Sequence, residues 1–391
     1  MTLPGDTQLA AMLERDGVNK DVTAIVDLID GVLASANGDT RTDWLDLVGG
    51  KLGDDLKSAL LALRDERKSE FLYAKDGYDA AGRVDALRKY LSAKGVDGFV
   101  VPRSDEHQGE YVPACAERLA WLTGFTGSAG AAVVLADKAA VFVDGRYTIQ
   151  VRQQVNRDIY EYRHLVDEPV VGWIHDNLKS GQKLAYDPHL HTVQQAEHLR
   201  GACKGVGAEL VAIEPNPIDV LWHKQPAMPI APVRPHLLEH AGKSNAEKRK
   251  QIAEMLEKLE CDSAVISAPD SIAWLLNIRG GDVPHIPLPL GYAIIHGDAS
   301  VDLFMDERKF AAETVKWLEN DATLRQPGEL EEALGALGNQ SVRLDEATAS
   351  DWLRMKLADA GATMRIGRDP VALPKACKNE VELEGSRKAH K

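Results

Sequence analysis

Apolar residues form two short runs in the first half of the chain, Ala131–Ala136 and Ala139–Val143. Both runs are rich in valine and alanine, and both are too short for helices. Because the polar residues Asp137 and Lys138 separate the two runs, the pattern predicts a β-hairpin. The second strand should end at Asp144, after which a helical spacing of apolar residues resumes.

The same pattern returns about 150 residues later in the chain. A repeat of this length is not that of a solenoid, whose units have a few tens of residues. It predicts two tandem domains of similar architecture. The matching segments are Trp121-Leu122 with Trp274-Leu275, the first hairpin with Tyr292–His296 and Val301–Met305, Asp144-Gly145-Arg146 with Asp306-Glu307-Arg308, and Ala185-Tyr186-Asp187 with Arg343-Leu344-Asp345.

The sequence of residues 1–75 predicts a small helical extension. No catalytic or binding motif is recognisable in it. Asn19 or Asp21 is a candidate N-cap of its first helix, and Asn37-Gly38 is the expected end of that helix. Its expected role is packing on its own chain or on a second protomer. Two sets of apolar residues recur at helical spacing, Val22, Ile25, Val26, Ile29 and Leu33, and then Leu52, Leu56, Leu60 and Leu63.

From Gly82 the pattern predicts a helix that ends at Gly95, followed by a buried strand at Asp97–Val101. The first α/β domain should close near Trp222, because four prolines fall between residues 226 and 235. Neither a helix nor a central strand tolerates that density of proline.

A second domain should open at Ser244, which with Glu247 has the spacing of a capping box. A strand at Ala264–Ser267 follows, and helices and strands then alternate to about Ile366. This alternation predicts an α/β fold with a mixed or largely parallel sheet flanked by helices.

The net charge and the cysteine content argue against several classes of function. The chain has 391 residues and a formal net charge of -14, which repels nucleic-acid backbones and anionic membrane surfaces, so neither is an expected partner. Its four cysteines are far apart and in no CxxC arrangement, so they predict neither a zinc site nor a disulfide framework. Reduced thiols of this kind are typical of a cytoplasmic protein.

A glycine pattern and two histidine pairs are candidate ligand sites, but each also has a simpler interpretation. The spacing of Gly124, Gly127 and Gly130 could cradle a phosphate, but it lacks the dinucleotide and P-loop patterns, and a tight turn into the hairpin explains it better. The pairs His189/His191 and His236/His240 could hold a metal ion. Neither pair has the HExxH framework, so solvated loop histidines explain them better.

Polar segments at the ends of predicted strands are the other candidate functional sites. Asp105 and His107 lie in such a segment, where either a functional loop or an exposed connection would fit. Arg146 could bind a carboxylate or a peptide carbonyl through its guanidinium, or could instead form an internal ion pair with Asp144. The turn that contains Asn277 and Asp282 has the same two interpretations.

Five segments of the chain resemble the three-domain Xaa-Pro aminopeptidases (aminopeptidase P) of the creatinase, prolidase and methionine aminopeptidase superfamily. The resemblance covers about residues 80–391 and excludes residues 1–75. The segments are VPRSDEHQGEY (101–111), RLAWLTGFTGSAG (118–130), FVDGRYTIQ (142–150), IAWLLNIRGGDVP (272–284) and KACKNEVELEGSRKAH (375–390).

The resemblance implies a division of the chain into four parts. These are a helical extension (1–75), a first creatinase-N-like domain (76–228), a second such domain (229–372), and the first helix of a truncated catalytic domain of the pita-bread fold (373–391). The family's catalytic site holds two divalent metal ions, usually manganese, whose ligands would lie beyond residue 391. No catalytic or metal-binding residue is therefore expected within these residues, and the chain alone is expected to be inactive.

The resemblance also implies substrate contacts and partners. Arg146 matches an arginine that reaches toward the metal site in the family, and Asp105 and His107 match a motif near that cleft. The implied substrates are peptides with proline second, and the implied assembly is a homodimer in which this segment gates substrate. The alternatives are a stand-alone binding or regulatory module derived from the family, and a related dipeptidase or amidinohydrolase.

Overall fold

The computed structural model describes residues 5–36, 38, 40–73, 79–319 and 321–391, without the side chains of residues 69–73. The chain forms two compact units. The first-sheet unit contains residues 79–225 with Ser350–Trp352, and the second-sheet unit contains the N-terminal residues up to Tyr73, Pro226–Ala349 and Leu353–Lys391. The expected end of the extension at residue 75 lies outside the described residues. Among the described residues, no helix combines the length and apolarity needed to cross a membrane.

Three helices form the N-terminal extension, α1 (Asp6–Arg15), α2 (Val22–Ala34) and α3 (Asp54–Tyr73). Of the two candidate caps, Asp21 is the N-cap of α2, and its carboxylate accepts a hydrogen bond from the Ala24 N–H at 2.8 Å. The helix ends at Ala34, and the expected stop residue Asn37 lies outside the described residues.

The extension packs on its own chain within the second-sheet unit. Its buried apolar residues, including Ile25, Ile29 and Leu60, share one cluster with Ile230. The Ile230 N–H also donates a hydrogen bond to the Gly31 carbonyl at 2.7 Å. The expected packing of the extension on its own chain is therefore present.

The first sheet has six strands in the order β4-β3-β2-β1-β5-β6. Its strands are β1 (Gly98–Pro102), β2 (Gly130–Leu135), β3 (Ala139–Val143), β4 (Glu161–His164), β5 (Lys183–Tyr186) and β6 (Glu209–Ala212). The helices of this unit are α4 (Ala80–Ala93), α5 (Arg118–Thr123), α6 (Gln150–Gln154), α7 (Val170–Asn177), α8 (Val193–Gly205) and α9 (Pro217–Leu221). The predicted hairpin of β2 and β3 is confirmed.

Both faces of the first sheet are covered, which explains why its strands are continuous apolar runs. Phe99 and Val101 of β1 pack in one cluster with Leu87 of α4, whereas Val100 packs on the opposite face with Ile174 of α7. This alternation follows from the period of two in an extended strand.

Five of the six strands run in one direction. The antiparallel strand β2 lies between β1 and β3, while β3 pairs in parallel with β4, β1 with β5, and β5 with β6. The carboxyl ends of β1, β3, β4, β5 and β6 therefore lie at one edge, the carboxyl edge of the first sheet. This is the edge at which open α/β sheets bind ligands.

The second sheet repeats this topology with the order β12-β11-β10-β8-β13-β14. Its strand directions also match, which confirms the prediction of two tandem mixed-sheet domains. The remaining strands are β7 (Arg234–Pro235), β8 (Ser263–Ile266), β9 (Ile278–Arg279), β10 (Tyr292–His296), β11 (Val301–Phe304), β12 (Thr323–Arg325), β13 (Ser341–Leu344) and β14 (Thr363–Ile366), of which β7 and β9 form a separate pair.

The first long helix of the second domain begins where the sequence indicates. Ser244 and Glu247 form the predicted capping box at the start of α11, because the Ser244 side chain accepts the Glu247 N–H at 3.2 Å and the Glu247 carboxylate accepts the Ser244 N–H at 2.8 Å. The helices from residue 238 onward are α10 (Leu238–Ala241), α11 (Asn245–Lys258), α12 (Pro269–Leu276), α13 (Ala312–Leu318), α14 (Leu330–Gly335), α15 (Asp351–Asp359), α16 (Ala372–Ala376) and α17 (Glu380–Ala389), of which α17 lies in the segment expected to open a further domain.

Candidate functional site

The carboxyl edge of the first sheet collects most of the polar segments singled out in the sequence. Asp105 and His107 follow β1, Arg146 follows β3, and His189 and His191 follow β5. The direction of the strands brings these residues to the same edge, although they are spread along the sequence. This edge is the candidate functional site.

Arg146 is held in place by Asp144. The Asp144 carboxylate caps the short turn after β3 by accepting the Arg146 N–H at 2.9 Å. It also accepts from the guanidinium, at 2.7 Å from Nη2 and at 3.1 Å from Nε. The Arg146 guanidinium lies 5.1 Å from the centre of the Tyr147 ring, and the Tyr147 hydroxyl lies 2.7 Å from the Ser128 hydroxyl. The internal ion pair that the sequence left open is therefore present.

The second domain contains the same arrangement at the matching position. The Asp306 carboxylate accepts the Arg308 N–H at 2.9 Å and the Arg308 Nη2 at 2.6 Å. The Arg146 side chain is 61% exposed, against 38% for Arg308. Because both copies contain the ion pair, it is a feature of the fold. The greater exposure of Arg146 is specific to the first copy.

Asp105 forms a compact turn after β1. Its Oδ1 atom accepts the His107 N–H at 3.1 Å and the Gly109 N–H at 2.9 Å. The residue is fully buried, and its Oδ2 atom is buried without a hydrogen-bond partner in the described structure. A buried carboxylate oxygen in this condition favours an incoming donor or cation. His107, in the same turn, is also buried.

The turns that hold Arg146 and Asp105 are separated by β2. Adjacent strands lie about 4.8 Å apart, so the ends of β1 and β3 are roughly 10 Å apart. The two turns are nevertheless electrostatically linked. Hydrogen bonds and charge from Asp144 raise the pKa of Arg146, and the charge of Glu110, from the β1 segment, adds to this increase.

A charge cluster around the buried Arg118 was not foreseen from the sequence. The Arg118 guanidinium donates to Asp219 at 2.7 and 2.9 Å and lies 3.3 Å from Glu106. Burial raises the pKa of Glu106, but the charge of Arg118, a backbone hydrogen bond and the nearby histidines together outweigh it and leave that pKa below its ordinary value. Arg118 lies 101 residues from Asp219 in the sequence, so no local pattern could pair them.

The two histidine pairs have other contacts. His189 Nε2 lies 2.8 Å from the Glu214 carboxylate, and His191 Nδ1 donates to the Asp187 carbonyl at 2.9 Å. The rings of His236 and His240 are 5.9 Å apart. Within the part of the chain that the structure describes, no group of three or more His, Cys, Asp or Glu side chains could hold a metal ion. The two divalent ions implied by the resemblance therefore find no ligand set among these residues.

The glycines of residues 124–130 serve packing. Gly124 ends α5 with a φ of 82°, a left-handed conformation that favours glycine. A Cβ atom on Gly127 would collide with the ring of Phe125. This geometry supports the interpretation of a tight turn feeding the hairpin.

We expect the buried His191 to make the first-sheet unit acid-sensitive. Burial lowers the pKa of His191 to about 4, and the hydrogen bond to the Asp187 carbonyl opposes this only in part. An unfolded histidine has a pKa of about 6.5, so the unfolded chain binds the proton first. The stability of the unit should therefore fall as the pH drops from about 6.5 to about 4.

Replacement of His191 by glutamine should reduce this acid sensitivity. The measurement is the difference in thermal unfolding temperature between pH 7 and pH 5 for the parent chain and the variant. His175→Gln, at an exposed histidine of the same unit, is the control and should retain the parent difference. An unchanged difference in the His191 variant would contradict the prediction.

The fold and this edge define the class to which the chain belongs, tandem α/β domains of the creatinase-N type. A family model described as "Creatinase/Prolidase N-terminal domain" matches residues 83–221, and a second model with the same description matches residues 224–382. The chain belongs to the family of proteins that contain this domain. The resemblance to the Xaa-Pro aminopeptidases is confirmed by the relatives that follow.

The chain is 35% identical over 328 residues to the probable Xaa-Pro aminopeptidase P of Ajellomyces capsulatus. This match covers 80% of the present chain and 53% of the relative. The probable Xaa-Pro aminopeptidase P of Paracoccidioides lutzii is 33% identical over 327 residues, with the same two coverages. The chain thus spans about half the length of the curated relatives it matches.

Among solved structures, the chain is similar to an X-prolyl aminopeptidase from Caenorhabditis elegans, described as a cytosolic enzyme with a di-nuclear active site. The TM-score is 0.74 at 24% sequence identity, and the match covers 80% of this chain and 54% of that chain. At this identity the likeness concerns the fold.

Proposed function

We propose that the chain is the N-terminal portion of a cytoplasmic, metal-dependent Xaa-Pro aminopeptidase that releases the first residue from peptides with proline second. The observation that carries this proposal is the 35% identity to a probable Xaa-Pro aminopeptidase P over 328 residues, in which both creatinase/prolidase N-terminal domains are matched in order. The extent of the match favours shared function over shared fold alone.

In this proposal the described residues bind and orient the peptide. The Asp144 carboxylate engages the Nε and Nη2 donors of Arg146, which fixes the guanidinium and leaves its Nη1 donors for a peptide carbonyl or carboxylate. An arginine immobilised in this way loses little entropy on binding. The turn that holds the buried Asp105 and His107 is proposed as the second group of contacts, across β2 from Arg146.

The metal chemistry is proposed to lie outside the described residues, which contain no suitable ligand set. A pair of divalent ions, with manganese as the expected metal, would lower the pKa of a bound water and polarise the peptide carbonyl. This chain would contribute gating of the substrate, and the assembly is proposed to be a homodimer.

The proposal predicts proline-dependent aminopeptidase activity in the protein that contains these residues. The experiment is to purify that protein from its native source, determine its intact mass and oligomeric mass, and assay it with manganese on an Xaa-Pro-Xaa tripeptide. The matched control peptide has alanine in place of proline. We expect release of the first residue from the proline peptide only.

Two results would contradict the proposal. Equal cleavage of both peptides would remove the proline specificity. A mass of 42.7 kDa without cleavage of either peptide would instead indicate a stand-alone binding or regulatory module.

A further inference from the structure

A cavity of about 390 Å³ lies within the first-sheet unit, beside the turn that holds Asp105 and His107. It is bordered by the end of β1 and by residues from the starts of α7 and α8. Its volume falls within the range of roughly 300–1000 Å³ that is usual for small-molecule sites. The cavity lies apart from the Arg146 turn, whose residues do not line it.

One side of the cavity is apolar. Val100 from β1, Val170 and Val171 from α7, and Leu199 from α8 line it, together with Leu165. These side chains belong to, or pack against, the apolar cluster on that face of the sheet. An aliphatic group bound there would be removed from water, which is favourable in proportion to its area.

The polar side of the cavity offers donors and one acceptor. His191 donates from Nδ1 to the Asp187 carbonyl, and it is neutral near pH 7 because burial lowers its pKa to about 4, so its Nε2 is an acceptor. The Gln195 side-chain oxygen accepts the Thr192 N–H at 2.9 Å, which leaves its amide nitrogen as a donor. His198, an exposed residue of α8, adds a second donor.

The charge of the lining favours an anion. None of the residues that line this cavity is Asp or Glu, although the chain as a whole carries a net charge of -14. Arg103 lines it with a side chain that is 9% exposed. Its Nη2 atom lies 3.4 Å from the Glu117 carboxylate and its Nη1 atom donates to the Glu110 carbonyl, whereas its Nε atom is buried without a hydrogen-bond partner. A bound ammonium group would find no carboxylate among the lining residues, which is costly for a charge removed from water.

We propose that this cavity is a binding site for a small organic monocarboxylate with an aliphatic body. The aliphatic body lies against the valine and leucine side chains, and the carboxylate faces Gln195, His198 and the buried Nε–H of Arg103. This inference does not depend on the proposed peptidase function. Ser104, Gln108 and Gly109 line the cavity and flank Asp105 and His107, so the bound molecule would order the turn that presents those two residues.

The test compares three probes that share one carbon skeleton, 4-methylpentanoate, leucine and 4-methylpentan-1-amine. Each is titrated into the 391-residue chain and followed by calorimetry. We expect 4-methylpentanoate to bind with a Kd of about 1 mM or tighter, as its size allows. Leucine and the amine should bind at least tenfold more weakly, because each carries an ammonium group. Equal binding of the carboxylate and the amine would overturn the proposal.

Two variants show whether the probe occupies this cavity. Val171→Trp fills it and should abolish binding, whereas Val315→Trp, at an exposed position of α13, should not change it. His198→Glu should weaken binding by about three- to tenfold through repulsion, whereas the control His175→Glu, at an exposed histidine of α7, should have no such effect. Near-UV circular dichroism checks the fold of each variant. Retained binding in both Val171→Trp and His198→Glu would overturn the proposal.

Discussion

Replacement of Lys309 by methionine should lower the free energy of unfolding of the second-sheet unit by about 3–5 kcal/mol. The Lys309 ammonium donates to the Asp282 carboxylate at 2.7 Å and to the Leu290 carbonyl at 3.1 Å, and both side chains are buried. Asp282 also accepts the N–H groups of Ala231 and Leu290. The variant would leave the Asp282 charge buried without its cation, which is the costly state for an ion pair in the interior.

The measurement is hydrogen exchange of the amides in β10 and β11 under conditions where exchange reports on unfolding. Arg325→Met is the matched control, because Arg325 pairs with Asp302 at 2.8 Å but is 39% exposed, and its loss should cost about 0–1 kcal/mol. A second change, Asp282→Asn in the Lys309 variant, should restore part of the loss by removing the uncompensated charge. Equal costs for Lys309→Met and Arg325→Met would contradict the prediction.

Replacement of Arg146 by alanine should reduce kcat/KM for an Xaa-Pro-Xaa peptide by about 10- to 100-fold in the protein that contains this chain. A hydrogen bond between a charged group and a substrate contributes about 1.5–3 kcal/mol, and the loss of that free energy corresponds to a decrease in kcat/KM of about 10- to 100-fold. The measurement is steady-state kinetics with manganese present. The prediction depends on the proposed function, since it assumes that the peptide reaches the carboxyl edge of the first sheet.

The chain supplies its own control for this experiment. Arg308→Ala removes the same Asp-x-Arg ion pair from the second copy of the turn, so it reports the cost of losing the ion pair alone. We expect kcat/KM to stay within about twofold of the parent value in that variant. Equal losses in the two variants would assign Arg146 a structural role and remove it from the substrate site.

Local patterns predicted the elements of the fold closely. The hairpin of β2 and β3, the cap at Asp21 and the capping box at Ser244 all follow from residues a few positions apart, and each is present. The repeat was visible because both copies keep the same order of apolar runs. These features depend on short-range chemistry that a sequence displays directly.

Long-range pairs could not be predicted in the same way. The turn that contains Asp282 had two interpretations, and the internal ion pair that Asp282 forms depends on Lys309, 27 residues away. Arg118 and Asp219 meet only because α5 and α9 pack together. For Arg146 the ion pair with Asp144 is established by geometry, while its contact with substrate stays a prediction.

The two copies of the Asp-x-Arg turn have diverged at the residue that follows the arginine. In the first copy this residue is Tyr147, which lies near the surface against Arg146, whereas in the second copy it is Lys309, which points into the interior toward Asp282. The second turn is therefore an anchor of its own domain, whereas the first leaves its arginine open to a ligand. A mutational survey of the whole chain should then find the second turn intolerant for reasons of folding, and the first intolerant only when activity is selected.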